Sequence, residues 1–294
     1  MASLRSIRCL AAFAALTLAW GGTSYGDQVV YQTGFERPGY VPGALIGQDG
    51  WVLSPAYGTA SGPAAAIVPA SGDLTSQALQ VTGTLLKPEI ADDPFYYLGL
   101  YRRPIGYDAA AHGMTHIMVS VQARLDGPLS RQSGTPGDYS AGDVYSANLA
   151  AIARDGAFGE ISLSADGHVY GYGYSGNGYY LFETRATLGV FHELGLDIDL
   201  ANSTTTYLLD GAVIGVDSFA GIITSTVLDR VVLLNYGNLE IPVPAGFERD
   251  KYVSYFDNLS VNAAVPEPAS ISLALVGMVV TGVSRWRRGR KPLI

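Results

Sequence analysis

Five tyrosines crowd into YGYGYSGNGYY, residues 170–180, at positions 170, 172, 174, 179 and 180, among four glycines and Asn177. On an extended strand side chains alternate, so Tyr170, Tyr172 and Tyr174 share one face. Such a ladder of rings can stack on a polysaccharide; the competing reading is that the rings pack over a sheet and the glycines only relieve crowding. A second stretch, HELGLDIDLAN, places Glu193, Asp197 and Asp199 on one strand face. It reads as the solvated outer face of an antiparallel sheet, with Leu194, Leu196, Ile198 and Leu200 turned to a core. His112, His116, His168 and His192 show no metal-ligand spacing, and the chain has no Gly-x-Ser-x-Gly elbow, His-Glu-x-x-His motif or phosphate loop. The single cysteine, Cys9, lies in an N-terminal apolar stretch, so thiol catalysis, thiolate zinc sites and disulfides are excluded from the mature chain.

The elements that must position these residues are short strands. HIMVSVQARL (116–125), DRVVLLNYG (229–237) and KYVSYFDNLSV (251–261) read as strands. FGEISLSADGHVYGYG (158–173) reads as a hairpin with Asp166-Gly167 as a two-residue turn, and Asn202-Ser203 and Asp210-Gly211 mark two further turns. The 36 glycines, 15 prolines and 19 tyrosines, with 15% charged residues, suit an all-β domain. No helical period, fixed repeat or long linker divides the middle of the chain, which therefore counts as one domain. Residues 27–265 hold 11 basic and 25 acidic residues, a formal charge of −14. That charge repels phosphate backbones, so nucleic acid is not an expected partner, whereas divalent cations are tolerated or recruited.

The two ends carry a different chemistry. Arg5 and Arg8, an apolar run from Cys9 to Trp20 and then small and polar residues have the layout of a secretory signal peptide, 1–26, with Ser24 and Gly26 ahead of a cut at Asp27. At the other end Val265-Pro266-Glu267-Pro268 precedes 16 uncharged residues, 269–284, and then Arg285, Arg287, Arg288, Arg290 and Lys291. As a helix the apolar run is about 24 Å long, a little short of a ~30 Å hydrocarbon core, and long arginines lengthen its reach. The basic cluster favours a cytoplasmic C-terminus and puts the Pro-Glu-Pro triplet on the outer face of the membrane. This order of motif, short helix and basic stop over about the last 30 residues resembles the PEP-CTERM sorting signal. The resemblance implies that the chain is a substrate of an exosortase, a membrane-embedded transpeptidase-like enzyme of Gram-negative bacteria that make extracellular polysaccharide. Two prolines hold Glu267 in an extended, accessible segment.

The middle carries a second resemblance. GFERPGYVPGALIGQDGW (34–51), SQALQVTG (76–83), FHELGLDIDLANSTTTYLLDG (191–211) and YFDNLSV (255–261) are similar to landmarks of concanavalin A-like, laminin-G-like jelly rolls. In that family the last strand returns beside the first, and a structural Ca²⁺ often clamps the two. The resemblance thus implies that Glu36 and Asp257 are neighbours and candidate calcium ligands, ahead of the loop pairs Asp92-Asp93 and Asp138…Asp143. It also includes glucanases, which place an acid and a nucleophile as Glu-x-Asp-x-(x)-Glu on one strand. In HELGLDIDLAN no Glu follows at the required place, so the catalytic pair is missing. Trp51, behind Asp49-Gly50, is expected in the core.

The expectation is therefore an antiparallel jelly-roll β-sandwich over 27–263, preceded by a signal peptide and followed by a sorting signal over 264–294 with one transmembrane helix, 269–284. The chain is read as non-enzymatic: exported, anchored transiently in the membrane, and delivered to the cell surface or extracellular matrix with a structural or adhesive role in polysaccharide. The alternatives are a divergent polysaccharide hydrolase or lyase on the same sandwich, and a purely structural coat component.

Overall fold

Alternation of apolar and polar residues along each strand sets the architecture. In His192–Asp199 the side chains of Leu194, Leu196 and Ile198 are fully buried while Glu193 is exposed, the period of two that turns one face of a sheet to a core. The computed structural model describes residues 28–53, 65–69, 76–82, 95–126, 146–173, 178–238 and 253–264. The described residues form two sheets and a single 3₁₀ turn, Ala110–His112.

The first sheet has nine strands: β1 (Gln28–Thr33), β2 (Gly43–Ala44), β4 (Ala65–Pro69), β5 (Gln77–Thr82), β7 (His116–Asp126), β12 (His192–Asp199), β13 (Thr204–Leu209), β14 (Ala212–Ser218) and β16 (Val253–Ala264). Their order is β14-β13-β12-β7-β16-β5-β4-β2, and β1 pairs with β16. The second sheet has seven: β3 (Val52–Leu53), β6 (Phe95–Asp108), β8 (Ser146–Ala153), β9 (Ala157–Ser164), β10 (His168–Gly173), β11 (Gly178–Arg185) and β15 (Val227–Asn238), in the order β11-β10-β9-β8-β15-β6-β3. The described registers are antiparallel throughout, including the pairing of the first strand with the last, Thr33 opposite Leu259. The fold is an all-β antiparallel sandwich.

The inner faces meet in one core. Val119, Val121, Leu194 and Leu196 from the nine-stranded sheet face Leu149, Ile161, Leu163, Val231 and Leu233 from the other, all fully buried. Polar contacts cross this core among the described residues. Tyr207 Oη donates to the Tyr172 carbonyl at 2.8 Å, Thr205 Oγ1 to the Phe158 carbonyl at 2.7 Å, and Asn235 Nδ2 to the Val81 carbonyl at 3.3 Å. Trp51 lies in the core, fully buried.

The turns follow the sequence with one correction. Asp210 and Gly211 both take positive φ, 51° and 76°, the requirement of a two-residue hairpin turn. The β9–β10 connection is instead three residues, Ala165 to Gly167. Only Gly167 has positive φ, 83°, and its N–H donates to the Ser164 carbonyl at 2.8 Å. The two-residue reading of Asp166-Gly167 fails because the Asp166 side chain accepts from His168 N, 2.9 Å, and keeps Asp166 out of the left-handed region.

Candidate functional site

The tyrosine-rich stretch resolves into a face. In β10 the inward positions are Val169, Gly171 and Gly173, and the outward ones His168, Tyr170 and Tyr172. The reason is steric. A Cβ on Gly171 would lie 2.7 Å from Phe182 Cζ and 3.1 Å from Tyr207 Cε1, and one on Gly173 would collide with the Asp217 carboxylate. Inner space at this edge of the sandwich is already filled, so only glycine fits inward and the rings go outward. Tyr170 and Tyr172 are half-buried on that outer face. Tyr174 lies outside the described residues.

Register brings polar groups to the same face. Tyr172 is opposite Glu160, Glu160 opposite Ala150, Ala150 opposite Val232, and Val232 opposite Arg102. The adjacent row runs Tyr170, Ser162, Asn148, Leu234. Asn148 Nδ2 donates to Glu160 Oε1 across these rows. Ala150, Val232 and Leu234 form a small apolar floor separate from the main core. Ser146, Asn148 and Ser162 are also buried, whereas Glu160, Tyr170, Tyr172 and Arg102 keep partial exposure. Burial pushes the Glu160 carboxyl up to about 7, opposed by the Asn148 hydrogen bond. Below that pH the group is an un-ionised carboxyl that donates as well as accepts, and above it a carboxylate. Sequence reasoning missed Glu160 and Asn148, because each is one polar residue in a run of small and apolar ones and only the β8–β9 register joins them.

The carboxylates of β12 lie elsewhere. Asp197 and Asp199 sit on the outer face of the nine-stranded sheet and flank His116, whose Nδ1 is 3.3 Å from Asp197 Oδ1 and whose Nε2 is 3.6 Å from Asp199 Oδ2. Asp199 also accepts from Asn202 Nδ2 at 2.6 Å and from Asn202 N and Ala201 N, and these bonds, with the His116 charge, hold its carboxyl below the usual range despite its burial. Each of the other histidines has a local partner: His168 pairs with Asp166 at 2.7 Å, His192 with Asp210 at 2.8 Å, and His112 stacks on Tyr107. A groove of about 730 Å³ opens where the β9–β10 turn meets the β11–β12 connection. Arg124 pairs with Asp126 at 2.8 Å and lies over the Tyr255 ring, and Arg185 reaches the Asp166 carbonyl.

Glu36 and Asp257 are adjacent. β1 and β16 pair, and a Cβ on Gly34 would meet Asn258 Oδ1 at 3.2 Å, Asp257 Oδ1 at 3.6 Å and Glu36 Cγ at 3.6 Å. Glu36 Oε1 is fixed by Gln77 N at 2.7 Å and Ser76 Oγ at 3.0 Å. Phe35 and Asn258, in the left-handed region at φ 58° and 49°, bend both chains at this point. Burial and the Glu36 charge push Asp257 up to about 6 against the Asn258 N–H that it accepts. Among the described residues no three His, Cys, Asp or Glu side chains gather around one point. Two hard carboxylates with the Asn258 amide oxygen nevertheless fit a calcium ion that takes its other ligands from carbonyls and water.

The repulsion between Glu36 and Asp257 makes a prediction with a definite sign. Asp257 titrates near 3.9 when unfolded and near 6 when folded, so between these values the folded state holds more protons. Its contribution to stability therefore falls as pH rises from about 4 to about 6 and stays low above. A calcium ion held by the ionised pair would reverse that loss at pH 7 but not at pH 4.5. At 100 times its Kd it adds about 2.7 kcal/mol, or roughly 5–10 °C in Tm for a domain of this size. Calorimetry with and without Ca²⁺ checks this, and equal curves at pH 7 would remove calcium from the site.

No protein-family model matches the chain, and no curated protein matches it. Solved structures do. An endo-β-1,4-glucuronan lyase from the fungus Trichoderma reesei matches with TM-score 0.50 and 13% identity, over 81% of this chain and 96% of that one. The catalytic domain of an endo-1,3-β-glucanase (laminarinase) from Thermotoga petrophila RKU-1 matches with TM-score 0.50 and 14% identity, over 82% and 99%. SCLam, a non-specific endo-β-1,3(4)-glucanase from family GH16, matches with TM-score 0.50 and 13% identity, over 81% and 92%. At these identities the likeness is one of fold: a concanavalin A-like jelly-roll sandwich.

Proposed function

We propose that the chain is an exported, surface-directed protein whose jelly roll binds extracellular polysaccharide on the outer face of the seven-stranded sheet. The observation that carries this reading is the outward pair Tyr170 and Tyr172, forced there by inward glycines and set beside Glu160, Asn148 and Ser162. Aromatic faces with a few polar groups at their edge suit sugar rings, which are apolar on their faces and hydroxylated at their rims. The relatives by fold are described as acting on glucuronan and β-glucans, which supports polysaccharide as the class. Replacing Tyr170 and Tyr172 with alanine reduces polysaccharide affinity at least about tenfold per ring, the scale of an aromatic hot spot, with little change in Tm. Affinity electrophoresis in polysaccharide gels measures it, and unchanged mobility of the double variant would end the platform reading.

A hydrolase or lyase on the same sandwich is the second reading, favoured by Glu160, whose carboxyl titrates near neutrality as a general acid or base does. Glycoside hydrolysis uses two carboxyls, about 5–5.5 Å apart in retaining and 6.5–9.5 Å in inverting enzymes. Among the described side chains β8, β9 and β10 supply one to this face, Glu160. New reducing ends, or unsaturated ends, released by the wild type and lost in Glu160→Gln would establish the enzyme.

The sorting half of the proposal rests on the order Val265-Pro266-Glu267-Pro268, apolar run, basic stop. These residues and the signal peptide lie outside the described residues, among which no helix is long and apolar enough to cross a membrane. With Pro266, Glu267 and Pro268 changed to alanine, an exosortase substrate stays unprocessed in the membrane fraction. Normal release of that variant would dismiss the exosortase.

A further inference from the structure

Asn148 is 2% exposed, and its two amide atoms are in different situations. Nδ2 donates to Glu160, while Oδ1 is buried without a hydrogen-bond partner. A buried acceptor left open is unfavourable, and a ligand bringing an O–H to it would recover that cost. Asn148 belongs to the tyrosine face: it is opposite Ser162, and Ser162 is opposite Tyr170. Glu160 supplies a second group whose un-ionised form donates as well as accepts.

The same face is poorly equipped for an anion. Among the described side chains, the cations of this face stand away from Tyr172: Arg102 ends its row, three strands from Glu160 and so about 14 Å away at ~4.8 Å per strand, Arg230 is paired with Asp229, and Arg185, opposite His168, reaches the Asp166 carbonyl. His168, also outward on β10, is engaged by Asp166. A carboxylate seated on Tyr172 would meet the acidic group of Glu160 with no counter-charge beside it, on a domain of formal charge −14.

We propose that the glycan held on this face is an uncharged polymer recognised through its hydroxyl groups by Asn148 and Glu160, and not a polyuronide. This rests on the glycan-binding reading above. The test uses the full chain in detergent and two soluble probes, a neutral β-glucan and polyglucuronate, with affinities measured by calorimetric titration. The neutral glucan binds at least ~10-fold more tightly than polyglucuronate. Asn148→Leu, which keeps the volume and removes the acceptor, weakens the neutral glucan ~10-fold at unchanged Tm. Glu160→Gln, which removes the acidic group and keeps the size, raises polyglucuronate affinity several-fold. Polyglucuronate bound as tightly as the glucan, or Asn148→Leu neutral while Tyr172→Ala abolishes binding, overturns this inference and leaves the platform standing. Binding of neither polymer overturns both.

Discussion

Replacing Trp51 with alanine lowers the Tm of the sandwich by roughly 6–20 °C. That range follows from about 3–5 kcal/mol for truncating a buried aromatic and about 2–4 °C per kcal/mol in a domain of this size. Trp51 is fully buried and tilted against Phe35 at 6.1 Å, and Phe35 in turn meets Tyr40 edge-on at 5.2 Å. Its Nε1 donates to Tyr40 Oη at 2.9 Å, and Tyr40 Oη donates to Asp49 Oδ2 at 2.9 Å. Tyr31 Oη reaches the same carboxylate at 2.6 Å, and Arg103 lies over the Tyr31 ring while approaching Asp49 at 3.5 Å. Burial, helped by the Asp49 carboxylate, raises Tyr31 far above its ordinary value, so the hydroxyl stays a donor at all working pH. The network ties β1, the loop before β3, and β6 together around one ring. Trp51→Phe keeps most of the apolar area and loses the N–H, and so costs about 1 kcal/mol. Calorimetry of the two variants separates the ring from the bond, and an alanine variant within 2 °C of wild type would deny Trp51 this role.

Gly173→Ala and Gly171→Ala are the second pair with large effects. One methyl at 173 collides with the Asp217 carboxylate and comes 2.9 Å from Tyr207 Oη, and one at 171 presses on the Phe182 ring. Overpacking of this kind costs about 1–3 kcal/mol per site, or roughly 2–12 °C. The double variant is not the sum, because both methyls push on Tyr207. Trimming the neighbour restores part of the loss: Gly171→Ala with Phe182→Leu is more stable than Gly171→Ala alone. Thermal unfolding of the set decides the matter, and full stability of Gly173→Ala would mean that the glycines of this stretch are not there for space. Displacement of Tyr207 also strains its bond to the Tyr172 carbonyl, so on the proposed glycan-binding reading these variants would lose affinity along with stability.

What could be read from the sequence were features that a single strand carries by itself. Leu194, Leu196 and Ile198 announced an inward face by period alone, and Asp210-Gly211 a turn by its need for two positive φ angles. The alternation of tyrosine and glycine at 170–173 showed that the rings share a face. It did not show which face, because that depends on Phe182, Tyr207 and Asp217 arriving from β11, β13 and β14. Glu160 and Asn148 were illegible for a related reason: their meeting is set by a register between two strands, and neither residue breaks the pattern of its own. The adjacency of Glu36 and Asp257 was accessible only through the resemblance to a known architecture, since 220 residues separate them.

The place of β16 has a consequence for how the molecule is made. It lies inside the nine-stranded sheet, between β7 and β5, and also holds β1. Among the described strands β16 is the last to be synthesised, so the middle of that sheet stays open until residues 253–264 emerge. Contacts between such distant segments slow folding and leave unpaired edges exposed meanwhile. Truncation before Val253 would therefore leave two half-sheets with no strand to join them.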